Sequence, residues 1–425
     1  MGAAEGRQTM PIRRVGQGAS SVHIRHYNQR LILQRLRRVG EASRADLARA
    51  ASLTNTAVGE IIKQLEAGGL VRTIGKRHEG NRGQPATMLG LDPRGAYAIG
   101  VRLDRTRIET ALTDLGGTVL SHRTHDHMLP PPAETLALVR DDVERLVRLV
   151  PAARRRRITG VGVARPYNLG SWLAELDLSP ETFSPWDTAP FARDLERACG
   201  LPVVEENDGT AAAIAELFHG HGRNEDDFLY VFIGPAIGGG LLLNGQSVRG
   251  FTGNAGDIGM IPVPPSTLPS AVRHDGHDIL LGRASLNALV RHLRFRGVTH
   301  AAYAELDTEA GAAAGAEWLA DCVDALVEPL LTARALLDVP TVVIDSDLPP
   351  AWIDRLLAML APRMAARVAE ARTPPALLRG SFGAMAGALG AATLPLFLHF
   401  GPGAGSLAGP HSDPNRQGGS YALVA

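Results

Sequence analysis

The stretch IGVRLDRTRIETAL, residues 99–112, places two alternating apolar runs on either side of Asp104-Arg105-Thr106. Alternation of period two marks strands, and two such runs around a short polar break mark a hairpin. The pattern extends outward. AYAIGVRLD, RIETALTDL and TVLSHRTHD read as three consecutive strands, with Gly116–Gly117 at the second turn. An amphipathic helix, ETLALVRDDVERLVRLV, follows, then a buried strand, ITGVGVARP, with a loop after it. FARDLERACG is helical, LPVVEEND is a strand ending in polar residues, and GTAAAIAELFHG is an Ala-rich helix. FLYVFIGPAIGGGLLLNGQSVRG reads as strand, Gly-rich turn, strand and turn, and TVVIDSD as a further strand. ALLRGSFGAMAGALGAA then supplies a small-residue helix able to pack closely. Three strands followed by alternating α and β elements, twice over, predict a duplicated two-lobe α/β body with a cleft between the lobes.

Upstream the texture differs. YNQRLILQRLRR carries Leu31, Ile32, Leu33 and Leu36 at helical spacing, and Gly40 ends that helix. Ser43 suits the N-cap of a second helix, RADLARAA, and Thr54 that of a third, NTAVGEIIKQLEAGG. Val58, Ile61, Ile62 and Leu65 give the third helix an apolar stripe, and Gly68–Gly69 stop it. LVRTI, GKRHEGNRGQPA and TMLGL read as strand, Gly-rich turn and strand. Three short helices and a two-stranded wing predict a winged helix-turn-helix, with Ser52–Thr54 as its tight linker. In that motif the third helix enters the major groove N-terminus first. Thr54, Asn55, Thr56, Gly59 and Lys63 lie on the groove side in this reading; Asn pairs with adenine and Thr meets a thymine methyl. Arg44, Lys76, Arg77 and Arg82 are read as phosphate contacts, which position without reading sequence. Glu60, on the same helix, repels phosphate unless it accepts from a cytosine amine.

Charge supports the division. The 425-residue chain is neutral overall, yet residues 1–90 hold fifteen Lys and Arg against six Asp and Glu, and the remainder is acidic by the same margin. A basic head on an acidic body points to a nucleic-acid partner for the head alone. The expected organisation is a flexible leader over 1–22, the head over 23–92, the body over 93–400 (lobes 93–205 and 206–400) and a Gly/Pro/Ser-rich tail over 401–425. No run approaches the roughly 18 apolar residues of a membrane span, and the N-terminus lacks the apolar core of a secretory signal. Cys199 and Cys322 have no metal-ligand spacing and fit reduced, structural thiols. The expected location is cytoplasmic and nucleoid-associated.

The hairpin, VVEENDGTAAAIAE (203–216), YVFIGPAIGGGLLLNGQSVRGFTGNAGDIGM (230–260) and the AGALGAA helix (386–392) occur in an order and spacing that resemble the ROK family. That family contains sugar kinases and sugar-responsive transcriptional repressors. The head, with a turn at Gly83-Gln84-Pro85 similar to a Gly-Arg-Pro wing, resembles the repressor branch. The resemblance covers most of residues 25–395 and implies an actin/hexokinase-like, RNase H-like duplicated body behind a winged helix-turn-helix.

It also implies a sugar in the cleft. Glu206, Asn207 and Asp208 match the segment that binds sugar hydroxyls, with Asp208 at the position of the catalytic base. The chemistry suits this, since Asn both donates and accepts and Asp accepts from adjacent hydroxyls. Asn207 or Asp208 also suits a helix N-cap, and the two roles are compatible. Asp257 and Met260 match a Glu and a zinc-binding His of the kinases, and Leu281 aligns loosely with a second sugar-binding Glu. Met cannot replace imidazole as a zinc ligand, and the span that is Cys-rich in the kinases holds only His274 and His277. No metal is expected.

The nucleotide side is altered in three places. Arg102, Asp104 and Arg105 stand where the kinases have Asp, Gly and Gly, and Pro235 stands in the Gly-Thr-Gly turn. Asp345-Ser346-Asp347 replaces a Gly-Gly-Gly. Phosphoryl transfer rests on positioning and charge stabilisation, and Pro removes an amide donor. The resulting expectation is a DNA-binding regulator of carbohydrate metabolism, without cofactor or kinase activity. Its expected partners are an operator duplex and a sugar or polyol effector; it is expected to form a homodimer or dimer of dimers and to bind no membrane. The alternatives are a sugar kinase with an appended head, supported by Asp208, and a regulator whose body serves only dimerisation or protein docking.

Overall fold

The computed structural model describes residues 21–77, 85–170, 173, 179–272, 278–298, 303–368 and 372–401. The head contains α1 (Ser21–Val39), β1 (Glu41–Ser43), α2 (Arg44–Ala51), α3 (Asn55–Ala67), β2 (Val71–Arg77) and β3 (Ala86–Leu91). Local chemistry sets its boundaries. Ser43 and Asp46 form a reciprocal capping box at α2, and Thr54 accepts from the Ala57 amide at α3. Ile32, Leu33, Leu36, Leu47, Val58, Ile62 and Leu65 close the core between the helices. The sheet has three strands in the order β1-β3-β2, not two. Gly40, at φ +78°, turns the chain sharply enough for Glu41–Ser43 to pair with β3 before the cap of α2. Residues 78–84, with Arg82 and most of the expected wing turn, lie outside the described residues.

The body repeats one sheet plan. Its first half runs β4 (Tyr97–Asp104), β5 (Arg107–Asp114), β6 (Val119–His125), α4 (Pro132–Leu149), β7 (Ile158–Arg165), α5 (Phe191–Cys199), β8 (Val203–Asn207) and α6 (Asp208–His219). The second runs β9 (Phe228–Ile233), β10 (Ile237–Leu243), β11 (Gln246–Val248), a short pair β12 (Pro262–Val263) and β13 (Asp278–Ile279), and α7 (Leu280–Ala284). It continues through α8 (Leu286–Phe295), α9 (Glu309–Leu337), β14 (Thr341–Ser346), α10 (Pro350–Arg367), β15 (Ala376–Arg379) and α11 (Ala386–Phe400). The first sheet is ordered β6-β5-β4-β7-β8 and the second β11-β10-β9-β14-β15. In each, an antiparallel three-strand meander is extended by two parallel strands. The duplication is therefore topological, strand for strand.

Two details differ from the sequence reading. Gly238–Gly240 lie inside β10; the turn itself is Gly234-Pro235-Ala236, closed by the Gly234 amide on the Ala236 carbonyl. Also, α11 does not stay with the second lobe. It crosses back to lie on β4, β5 and β7 of the first sheet and against α6. Its small residues make this possible: a methyl at Gly162 of β7 would stand 1.9 Å from the Ala391 carbonyl oxygen. The span Gly383–Phe400 is long and apolar enough to cross a membrane, but 72% of it is buried in this core.

Candidate functional site

Strand β8 delivers three consecutive side chains to different places. Glu206 turns into the protein, bound by Arg249 at 2.9 Å. Burial raises its carboxyl, and Arg249 opposes that. It does not line the cleft. Asn207 caps α6 by accepting from the Thr210 amide at 3.1 Å. Asp208, the first residue of α6, reaches the cavity and accepts from the Gly209 amide at 2.9 Å. Enclosure by protein raises its carboxyl; Arg102 counters this and Asp104 adds to it.

The cavity between the sheets has a volume of about 440 Å³. Asn207, Asp208, Asp257 and Met260 converge on it, and Glu206 alone of the five expected ligand contacts does not. Asp257 sits in the glycine-framed loop after β11, held by the Asn254 amide group at 2.8 Å. Partial burial raises its carboxyl too. Met260 is 44% exposed at the opening. Sequence reasoning did not find Tyr167, Asn168, Asn254 and Asn287, which also face this space. Of these only Asn254 carried a signal, three residues before Asp257 in the same loop. Leu281 is buried in the second-lobe core and does not line the cavity.

The same cavity is also lined with charge. Arg102 lies across from Glu109 in the β4–β5 register, and the two pair at 2.9 Å while buried. Its other nitrogen reaches Asp104 at 3.3 Å. The side chain presses on α11: a methyl at Gly387 would be 2.4 Å from Arg102 Cδ. Burial alone would lower this guanidinium, but Asp104, Glu109, Asp208 and Asp347 together hold it above its usual range. Arg105 donates to the carbonyls of Leu169 and Asn168, both at 3.0 Å. Burial lowers it, with Asp104 and Asp208 in opposition.

The two replacement aspartates at the end of β14, Asp345 within it and Asp347 just beyond, behave differently. Asp345 faces inward, accepting from the Gly383 amide at 2.9 Å, the Ser346 amide at 3.0 Å and the Tyr230 hydroxyl at 3.2 Å. It fastens the loop before α11, so only Asp347 adds charge beside Arg102. Burial pushes Asp347 up to about 6, against Arg102 and Arg107. A raised carboxyl makes the folded chain take up a proton that the unfolded chain does not, so this contribution grows as pH falls from about 6 toward about 4. The gain in thermal midpoint between pH 7.5 and 5.5 should therefore be smaller in Asp347→Asn than in the parent chain. Equal gains in the two melts would contradict this.

In the head, Asn55, Thr56, Lys63, Arg44 and Lys76 are exposed, and Gly59 is half-buried. Thr54 is exposed but engaged as the α3 cap. Arg77 is also exposed and lies 3.3 Å from Asp46 of α2. No cluster of three His, Cys, Asp or Glu able to hold a metal occurs among the described residues; His274 and His277 lie outside them.

Residues 98–396 match the model described as ROK family. The chain belongs to the ROK family. It is 27% identical over 380 residues to protein y4fQ of Sinorhizobium fredii, covering 89% of this chain and 92% of that one. It is 25% identical over 245 residues to the xylose repressor of Bacillus subtilis, covering 58% of this chain and 62% of the repressor. A glucokinase of Streptomyces coelicolor is 29% identical over 199 residues, or 47% of this chain and 59% of the kinase. The last two matches span less than two thirds of those relatives. Among solved structures, a ROK family transcriptional regulator homologous to the Escherichia coli Mlc protein shares the fold, with a TM-score of 0.63 and 22% identity. That superposition covers 91% of this ROK chain and 99% of the regulator.

Proposed function

We propose that this ROK protein is a DNA-binding transcriptional regulator, a repressor in its simplest form, that senses a sugar or related polyol in its cleft and does not phosphorylate it. The observation that carries the reading is that one cavity is lined by two contrasting groups of residues. The first group is Asn207, Asp208 and Asp257, the donors and acceptors that hydroxyl groups need. The second is Arg102, locked to Glu109 and Asp104 at the hairpin that matches the phosphate-holding turn of the ROK kinases. A winged helix-turn-helix with exposed Asn55 and Thr56 at the start of α3 completes it. Named relatives on the repressor side agree. As a homodimer or dimer of dimers in the cytoplasm, it would read two-fold related half-sites.

The test is fluorescence anisotropy with duplexes from DNA upstream of its own gene and its neighbours, across a panel including D-xylose and D-glucose. Retention of a duplex, altered by one sugar, is expected. Asn55→Ala should cost roughly 1–3 kcal/mol on the best duplex and little on a scrambled one. Lys76→Ala should weaken both alike and reduce the salt slope by about 1. No binding at low salt to any duplex would sink the reading. The second reading, a sugar kinase, rests on Asp208 at the cavity; sugar-dependent ADP release abolished by Asp208→Asn would establish it.

A further inference from the structure

Helix α6 has the cavity at one end and the head at the other. Its first residues are Asn207, as cap, and Asp208. Twelve residues at 1.5 Å each carry it roughly 18 Å to Phe218 and His219. Every residue from Gly209 to Phe218 is buried. Its backbone is in close contact on both sides. A methyl at Gly209 would stand 2.5 Å from the Gly239 carbonyl oxygen of β10, and one at Gly390 of α11 would stand 2.7 Å from the Ala211 backbone. β10 belongs to the second sheet and α11 lies on the first, so α6 spans both lobes. Packed interiors shift between discrete arrangements and do not stretch. A change of lobe angle must therefore move α6 as a rod.

The far end of the rod meets α1. The Arg37 guanidinium lies 3.4 Å from the centre of the Phe218 ring. Arg37 is 8% exposed, and its Nε and Nη2 are buried without a hydrogen bond. Burial, then Arg223, lowers it to about 9. Beside it Arg38 pairs with Asp226, and Arg30 donates to the carbonyls of His399 at 3.1 Å and Leu398 at 3.2 Å at the end of α11. The other face of α1, through Ile32, Leu33 and Leu36, is part of the head core, and that core is continuous with Ala211–Ile214 and Phe218 of α6. The seam is thus well packed yet leaves two buried guanidinium nitrogens without hydrogen bonds, which costs this arrangement stability.

We propose that α6 carries the effector signal from Asn207 and Asp208 to the DNA-binding head, through the Phe218–Arg37 contact on α1. This rests on the reading of the cleft as an effector site. Coupling is reciprocal, so it can be tested on the full chain without knowing the effector. Hydrogen exchange followed by mass spectrometry on Asn207→Ala should show residues 21–39 exchanging several-fold faster. Ser285→Ala removes the corresponding cap of α8 and controls for general loosening; it should leave 21–39 unchanged. In the reverse direction, Arg37→Met and Phe218→Leu should each alter exchange at residues 207–212. Unchanged exchange at 21–39 in Asn207→Ala, or an equal change in Ser285→Ala, overturns the proposal, as does an unmoved 207–212 in both seam variants. Calorimetry with D-xylose and D-glucose tests the effector reading separately. If neither binds, that reading loses its support, and the exchange data alone decide the coupling.

Discussion

Arg102→Ala should lower stability by about 3–5 kcal/mol, the usual result of removing one partner from a buried ion pair. For a body of this size that corresponds to a fall in thermal midpoint of roughly 5–10 °C. Arg102 is 6% exposed and pairs with Glu109, which is 3% exposed, so water cannot replace the lost guanidinium. Asp104 and Asp208 would then face each other, and Asp347 would lose its main opposing charge. Asp208 and Asp347, already raised by burial, rise further, and the folded chain takes up protons that the unfolded chain does not. The deficit should therefore shrink on acidification from pH 7.5 to 5, the reverse of ordinary acid sensitivity. The double variant Arg102→Met with Glu109→Leu should recover much of the loss, because replacing both charges removes the penalty of leaving one alone. A single Arg102→Ala melt within 1 °C of the parent would show that the cluster is not the anchor described above. ATP binding is not expected to appear, since Pro235 still lacks an amide hydrogen.

Asp208→Ala and Asp257→Ala should each weaken sugar binding about 10- to 150-fold. The range follows from the roughly 1.5–3 kcal/mol typical of a hydrogen bond to a charged group. Glu206 is the discriminating control. Its carboxylate is committed to Arg249 and faces away from the cavity, so Glu206→Gln should leave affinity within a few-fold. Calorimetry with the sugar that alters DNA retention would read all three. Equal losses in Glu206→Gln and Asp208→Ala would mean that β8 delivers its side chains otherwise than described. Duplex affinity without sugar should be unaffected in Asp257→Ala and Glu206→Gln, because neither side chain lies on α6 or touches the head.

The head was the most legible part of the sequence. Caps such as Ser43 and Thr54 act within three residues, and the stripe Val58, Ile61, Ile62 and Leu65 has helical period, so local chemistry suffices. β1 was missed because three residues give no periodicity. In the body the repeated strand plan could be read, but the return of α11 could not, because small residues announce close packing without naming the surface they pack on. The candidate site was half visible. Asn207, Asp208, Asp257 and Met260 lie in readable motifs, whereas Tyr167, Asn168 and Asn287 come from separate loops that meet only in the folded chain. The Arg102–Glu109 pair was within reach, since a hairpin turning at Asp104–Arg107 places those two opposite charges face to face.

The crossing of α11 also orders events during synthesis. β4 and β5 are translated almost 300 residues before the helix that lies on them. Until it arrives, the nascent first lobe holds an open furrow along Gly100 and Gly162, with apolar neighbours facing water. The body can reach its native state only after α11 has been made, and contacts between residues almost 300 positions apart, such as Gly100 with Ala392, are slow to form. Losing Ala386–Phe400 would therefore damage the beginning of the body as much as its end.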